Sequence, residues 1–358
     1  GLFSHQVDSA AIVGVNGPRT INNDIAIDSH PTFLGSDLTF TGNITLTGGR
    51  TLRTMDAAQT VTFTGVISEG IYGTSTVNKD GRGTLVFTGV NTYSGATTIN
   101  NNGGTLVLSG NGSLLNSNAI TIGASGTLKL DNSGINNTNR LNDLVNVSNN
   151  GGKLHFVGNA TANSREHVGL YSASGSGTGE IRMENTSGGG FETVLTAVQI
   201  NNYNESTPVR FVGVGQALSG TGKNRVEFET PPRLTNGIVL QSIVVDATTN
   251  RVDFATIEST AFGAAIVALP DAMYETDINR ATITSNVRLS TTQALTLDRT
   301  INSLLLTNGA DLSGPYVLRI DRGGIAIEDG GSTLGADMAL QLGNDIHYNI
   351  FTESGTTT

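Results

Sequence analysis

The chain has 358 residues and a formal net charge of −10, with 46 glycines, 5% aromatic residues, no tryptophan and no cysteine. Charged residues make up 14%, against about 25% in an average soluble domain, yet the apolar share of 37% is too high for a disordered chain. Lys and Arg nowhere cluster, which excludes a nucleic-acid footprint or a basic face for anionic lipid, and the lack of Cys excludes disulfides and thiolate zinc sites.

No run approaches about 18 consecutive apolar residues, so no membrane span is expected. The start, Gly1-Leu2-Phe3-Ser4-His5, lacks the charged and apolar regions of a signal peptide. If the protein is secreted, its signal has been removed or lies outside these residues. The scarcity of large aromatics argues against a wide globular core and for a narrow one, filled layer by layer with Val, Ile, Leu, Thr and Phe.

In chain order, the first strand-like segment is Ala10-Ala11-Ile12-Val13-Gly14-Val15, apolar and without helical period. A repeat follows. Thr39-Phe40-Thr41-Gly42, Thr62-Phe63-Thr64-Gly65 and Val86-Phe87-Thr88-Gly89 recur at nearly equal intervals. In a second register, Gly83-Thr84-Leu85-Val86-Phe87, Gly104-Thr105-Leu106-Val107-Leu108 and Gly126-Thr127-Leu128-Lys129-Leu130 recur at a slightly shorter spacing, and Gly152-Lys153-Leu154-His155-Phe156 is a later copy. Each unit alternates, so Leu85, Phe87, Leu106, Leu108, Leu128 and Leu130 are predicted to share one buried face. Gly, Asn and Ser clusters between the strands mark turns. The period suits one coil of a three-faced, right-handed parallel β-helix (an all-β solenoid) of about 20–25 residues per coil. Stacking buries what a single coil cannot. Continued along the whole chain it would give roughly 16 coils.

The middle departs from this pattern. Residues 165–190 read as loose, with a loop from Ser172 to Gly179. Strand signals return at Glu180-Ile181-Arg182-Met183, Val209-Arg210-Phe211-Val212 and Arg225-Val226-Glu227-Phe228. Pro231-Pro232 must lie outside a central strand. The stretch 257–274 is the least strand-like, and its Ala264-Ala265-Ile266-Val267-Ala268-Leu269-Pro270 reads as a short helix or an excursion. Alternation resumes at Ala281-Thr282-Ile283-Thr284 and runs through Leu295-Thr296-Leu297, Ser303-Leu304-Leu305-Leu306, Val317-Leu318-Arg319-Ile320 and Ile325-Ala326-Ile327. With no evident linker, 1–358 is expected to be one elongated domain, with the clearest repeats at 37–157, an irregular part at 158–275 and C-terminal coils at 276–351.

The segment from Asn78-Lys79-Asp80-Gly81-Arg82-Gly83-Thr84-Leu85 through Asn91-Thr92-Tyr93-Ser94-Gly95 to Thr97-Thr98-Ile99 closely resembles the autotransporter-associated β-strand repeat. Lys, a Gly-x-Gly-Thr-Leu strand, an Asn-x-Tyr-x-Gly turn, a Thr-rich strand and a further Gly-Thr-Leu strand (Gly104-Thr105-Leu106) stand in that order. The resemblance is specific over about residues 37–130, and Asn250–Thr256, Ile301–Leu306 and Gly323-Gly324-Ile325 fit more loosely. It implies a parallel β-helix outside a bacterial cell, and no particular activity. The polar end, Thr352 to Thr358, resembles neither a translocator barrel nor a membrane anchor, so a released passenger or an excised part is expected.

β-Helices also host polysaccharide lyases and hydrolases, whose sites group acids with Lys, Arg or His on neighbouring coils. The strands from Gly83 to Lys129 contain no Asp or Glu. The densest polar set, Asp311, Arg319, Asp321, Arg322, Glu328 and Asp329, reads as a solvated face. His5, His30, His155, His167 and His347 have no metal-ligand spacing, and His155 is predicted to point outward. Gly175-Ser176-Gly177-Thr178-Gly179 lacks the ending of a phosphate loop and reads as flexible. Gly330-Gly331-Ser332-Thr333-Leu334-Gly335-Ala336-Asp337 only approximates a calcium nonapeptide. Asn100-Asn101-Asn102 and Asn136-Asn137 read as turns or as stacked amide ladders. Tyr72, Tyr93, Tyr171, Tyr203, Tyr274, Tyr316 and Tyr348 are too scattered for a glycan platform, and Tyr93 is expected to pack. No catalytic, cofactor-binding or metal-binding residue is therefore assigned and no cofactor is expected, with an incidental surface calcium allowed.

The chain is thus expected to be an extracellular or cell-surface structural protein, the subunit of a fibre, sheath or matrix. The alternative is an adhesin whose loops bind host or surface ligands, and a lyase or hydrolase ranks third. No capping segment is legible at either terminus. Ala10 to Val15 and Asp345-Ile346-His347-Tyr348-Asn349-Ile350-Phe351 both read as strands open to pairing, so the expected partner is the chain itself, head to tail.

Overall fold

In the strand Thr84–Phe87, Leu85 and Phe87 point inward and are fully buried, while Thr84 and Val86 face outward. This strand lies between two parallel neighbours, Thr60–Phe63 and Thr105–Leu108, in strict register. Leu85 stands opposite Val61 on one side and Leu106 on the other, and the column continues through Leu128, Leu154, Ile181 and Phe211. A second column runs Phe40, Phe63, Phe87, Leu108, Leu130, Phe156, Met183. The recurrence in the sequence is this register, and every residue predicted from it to share the buried face is buried. Each such side chain contributes roughly 2 kcal/mol through burial. Phe40 and Phe63 stack with ring centroids 5.0 Å apart, and Phe63 meets Phe87 at 6.0 Å.

This computed structural model describes residues 10–71, 73–174, 177–201, 208–239, 241–328, 331–343 and 350–352. They form stacked parallel coils, about 14 in all, and the only helical element among them is the 3-10 turn Asp271–Met273. The first coil shows the three faces: Ala11–Gly14, Arg19–Ile21 and Ile25–Ile27, under Thr32–Gly35, Leu38–Phe40 and Ile44–Leu46. The third face thins to single bridges such as Leu114 to Leu141. The coils stack in this way up to Asn224–Thr230 and Ile243–Asp246. Their length is not constant. Near the start Arg19 pairs with Leu38, whereas later Arg210 pairs with Ile243, a much longer circuit. Longer coils, and the residues spent in hairpins, explain why there are fewer coils than the sequence period suggests.

At the corners the chain must pass very close to the coil before it. Gly81 has φ +76° and an added Cβ would lie 2.3 Å from the carbonyl oxygen of Thr54, while Gly104 has φ +63° and would meet that of Gly83 at 2.3 Å. Only glycine satisfies both demands, which explains the glycines of the repeat.

Two segments differ from their sequence reading. Residues 165–190 are only partly loose: Ser164–Ala173 and Gly179–Glu184 are long strands in register with the stack, while Ser174, Gly177, Thr178 and 185–190 lie outside strands. The segment 257–274 is mostly strand up to Ala268, followed by the 3-10 turn Asp271–Met273. Arg251–Thr260 and Gly263–Ala268 form an antiparallel hairpin, which also pairs antiparallel with Ile243–Asp246 and with Asn224–Thr230. It thereby covers the last coil of the first stack on two faces and ends the parallel ladder. A cap thus lies inside the chain. A smaller hairpin, Leu234–Thr235 with Ile238–Val239, turns at Asn236 (φ 49°) and Gly237 (φ 86°).

After the 3-10 turn a second parallel stack begins: Tyr274–Glu275, Asn286–Leu289, Arg299–Leu306, Val317–Ile327, then Ala339–Leu342 and Ile350–Thr352. It has its own core of Val287, Leu289, Ile301, Leu304, Leu306, Leu318 and Ile320. Leu305 and Ala326 point the other way, into a third cluster with Val212, Val245, Val252 and Phe254. The second stack therefore packs its outer face against the capped end of the first.

Candidate functional site

Among the described residues, the first coil has a neighbouring coil on one side only. Its inward residues Ile12, Ile21 and Ile25 stand in register with Phe33, Phe40 and Ile44. The second three are at most 1% exposed, while the first three are only partly buried, packed from one side. Val13 and Val15 are more than half exposed. Ile12, Val13, Ile21, Ile25 and Phe40 border an apolar cavity of about 470 Å³ at the first coil. Among the described residues, each of the three strands has a partner on one edge only. Their other edges present backbone N–H and C=O groups and an apolar interior, which suits the addition of another coil.

Within the stack, buried charges hold corners. Lys79, the Lys of the repeat, has no exposed surface, and its Nζ donates to the carbonyls of Asp80 (2.9 Å), Gly81 (2.7 Å) and Gly103 (2.8 Å). Burial pulls its pKa down to about 8, opposed by Asp80. Tyr93, in the repeat's turn, is buried as expected, and its hydroxyl shares a 2.7 Å hydrogen bond with Thr97.

Arg140 is also fully buried. Its guanidinium donates to Asn132 Oδ1 (2.6 Å) and to the carbonyls of Gly112 (2.8 Å), Gly110 (3.1 Å), Asp131 (2.7 Å) and Ile135 (3.0 Å). Its backbone N–H and that of Leu141 donate to the buried carboxylate of Glu166. Burial pushes Glu166 up to about 7, against the two amides and Arg140. Isolated charges in a polar sequence give no signal for this pair. Its only trace is that Arg140 and Glu166 stand one local coil apart.

The densest ionic cluster lies at the junction of the stacks. Asp253, 1% exposed, accepts from Arg251 Nε at 2.7 Å and from Arg288 Nη2 at 2.5 Å. Asp271 also pairs with both arginines. The Arg288 guanidinium lies 4.8 Å from the Tyr274 ring centroid. Burial raises the Asp253 carboxyl from its ordinary value, with Arg288 opposing. Glu328 accepts the Val252 N–H at 3.2 Å. Every carboxylate in this set is tied to an arginine or an amide. Beside it three asparagines interlock. Asn236 donates to Asn302, Asn302 to Asn286, and Asn286 to the Asn236 carbonyl, at 2.7–2.9 Å.

The residues singled out in the sequence are dispersed. Asp311 binds Thr333, Glu328 sits at the junction, and Arg319, Asp321 and Arg322 line the strand Val317–Ile327. His155 faces outward, half-buried against Glu184 at 3.0 Å, His167 bridges the Asp143 carbonyl and Glu229, and His30 accepts the Thr51 N–H. Among the described residues no three His, Asp or Glu converge as a metal site, and Asp337 instead accepts the Gly314 N–H. Asn101 and Asn102 are turn residues bonded to Ala124, whereas Asn136 joins a network with Asn132 and Ser164. His5, His347, Tyr72, Tyr203, Tyr348, Gly175, Ser176, Asp329, Gly330 and 345–349 lie outside the described residues.

No curated protein and no solved structure gives a significant match. A family model does match, over residues 77–108. That span runs from the strand Val77–Asp80 through the Lys79 corner, Tyr93 and Thr97–Ile99 to Thr105–Leu108, which is one full coil plus the first strands of the next. It is narrower than the 37–130 over which the sequence resemblance is legible. The chain therefore carries, in its most regular coil, a passenger-associated-transport-repeat.

Proposed function

We propose that this chain is an extracellular, non-catalytic structural β-solenoid of the passenger type, whose first coil takes up a coil of a second copy, end to end. One observation carries this reading: Ile12, Ile21 and Ile25 are half-buried while their register partners one coil on are sealed. Covering that end would bury apolar surface and extend three hydrogen-bonded ladders at once. A head-to-tail contact of this kind does not close, and it produces filaments. The passenger repeat and the solenoid fold support a place outside the cell or on its surface. Sedimentation velocity of the purified chain over a range of concentrations tests the proposal. Assembly should grow with concentration and be blocked by Ile12→Lys, while assembly that Ile12→Lys leaves intact would move the contact elsewhere.

The second reading is an adhesin. Phe262, 62% exposed at the tip of the capping hairpin, favours it, since an exposed aromatic on a rigid support suits recognition. Phe262→Ser should then reduce attachment to a surface without changing thermal stability.

A further inference from the structure

We propose that the capped end of the first stack binds a calcium-sized divalent cation, held between the carboxylates of Glu227 and Glu258. Glu227 lies on Asn224–Thr230, the last parallel strand of its face, and Glu258 on Arg251–Thr260 of the capping hairpin. Both stand opposite Ala265 of Gly263–Ala268, Glu227 on one side and Glu258 on the other. Residues directly opposite in antiparallel pairs share a face. The three therefore form one row, on the face away from the inward-pointing Phe228 and Ile266. Strands lie about 4.8 Å apart, so the two glutamate backbones stand roughly 10 Å apart across an alanine methyl. That span suits two long carboxylate side chains that meet at a single ion.

The state of Glu227 points to the ion. Only 2% of the residue is exposed, and its Oε1 accepts from Arg225 Nε at 2.9 Å. Its Oε2 is buried with no hydrogen-bond partner, a costly position for a carboxylate oxygen. Arg225 does not meet this need, because its Nη1 donates to the Gly222 carbonyl and to Glu192. Glu258 is exposed, and its Oε2 accepts the Gly220 N–H at 3.1 Å. The loop 219–222 is thus fastened to Glu227 through Arg225 and to Glu258 directly, which brings both carboxylates to its side. Carboxylate oxygens suit a hard cation. Calcium tolerates irregular sets of about 6–8 oxygens, some from water, whereas magnesium demands a near-ideal octahedron. Two carboxylates are few, so the affinity belongs with weak extracellular sites at about 10⁻⁴–10⁻³ M. The ion would tie the loop 219–222 to the hairpin and so fasten the cap. The site does not depend on whether copies join end to end.

Isothermal titration of the chelator-treated chain with calcium chloride, and separately with magnesium chloride, tests the proposal. Calcium should bind saturably and more tightly than magnesium. Glu258→Gln should weaken calcium binding roughly tenfold, and Glu227→Gln should remove it. Glu258 is exposed, so its variant should melt at the wild-type temperature in chelator. Calcium should also slow hydrogen exchange at residues 219–223 of the wild-type chain. No calcium binding, which would leave Glu227 Oε2 to water, or calcium binding unchanged in the double variant would overturn the proposal. Magnesium binding as tight as calcium would overturn the assignment of the ion.

Discussion

Glu166 accepts the backbone N–H of Arg140 at 3.0 Å from the neighbouring coil, while the Arg140 guanidinium turns inward to Asn132 and four carbonyls. The pair thus fastens a loop rather than forming a simple ion pair, and it makes the corner sensitive to pH. Burial raises the carboxyl of Glu166 from its ordinary 4.5 to about 7. Between those values the folded chain keeps a proton that the unfolded chain has released. The stabilising contribution of this group is therefore full below about pH 4.5, falls as pH rises to about 7, and is flat above. Its size is on the order of 3 kcal/mol. Glu166→Gln retains an acceptor for both amides and should flatten this slope, as read by urea unfolding on either side of neutrality. An unchanged slope would assign the pH dependence to other groups.

Leu106 sits between Leu85 and Leu128 in the main column. Leu106→Ala should cost about 2–5 kcal/mol through the cavity it leaves. Leu106→Asp should cost more, since it places an unpaired charge between apolar layers. Equilibrium unfolding followed by circular dichroism gives both values. A cost under about 1 kcal/mol for the Asp variant would show that the column is not a sealed core.

Lys79 satisfies three backbone carbonyls at one corner. Lys79→Met keeps much of the side-chain volume but leaves those carbonyls without a donor, which should cost roughly 3 kcal/mol. Hydrogen exchange should rise first at the amides of Gly81 to Thr84 and Asn100 to Thr105. Loss of protection spread evenly over the chain would count against a local role.

At the junction, Arg288 neutralises the buried Asp253. Arg288→Ala strips a buried carboxylate of one of its two arginine partners and should weaken the junction by about 3–5 kcal/mol. Limited proteolysis should then release the second stack before the first unfolds. Simultaneous loss of both stacks would mean that they unfold as one unit.

How much of this is legible in the sequence depends on the distance over which each signal acts. The stack of Leu85, Leu106 and Leu128 is readable because alternation and spacing are repeated at every coil. The capping hairpin is not, because Ala264, Ala265 and Ile266 are buried in succession and the strand does not alternate. The run Leu304-Leu305-Leu306 passes for one more alternating strand, yet three consecutive large apolar residues signal burial on both faces, and Leu305 faces the first stack. Asn236-Gly237 is a strong hairpin signal at the edge of the regular region. The buried pairs Arg140 with Glu166 and Asp253 with Arg288 have no local signature, because a lone charge reads the same whether it is solvated or enclosed.

The most direct test of the account is electron microscopy of the purified chain at neutral pH. An end whose inward residues Ile12, Ile21 and Ile25 are half-sealed predicts unbranched filaments that lengthen with concentration, and short single particles for Ile12→Lys. Single particles of the wild-type chain at every concentration would contradict it.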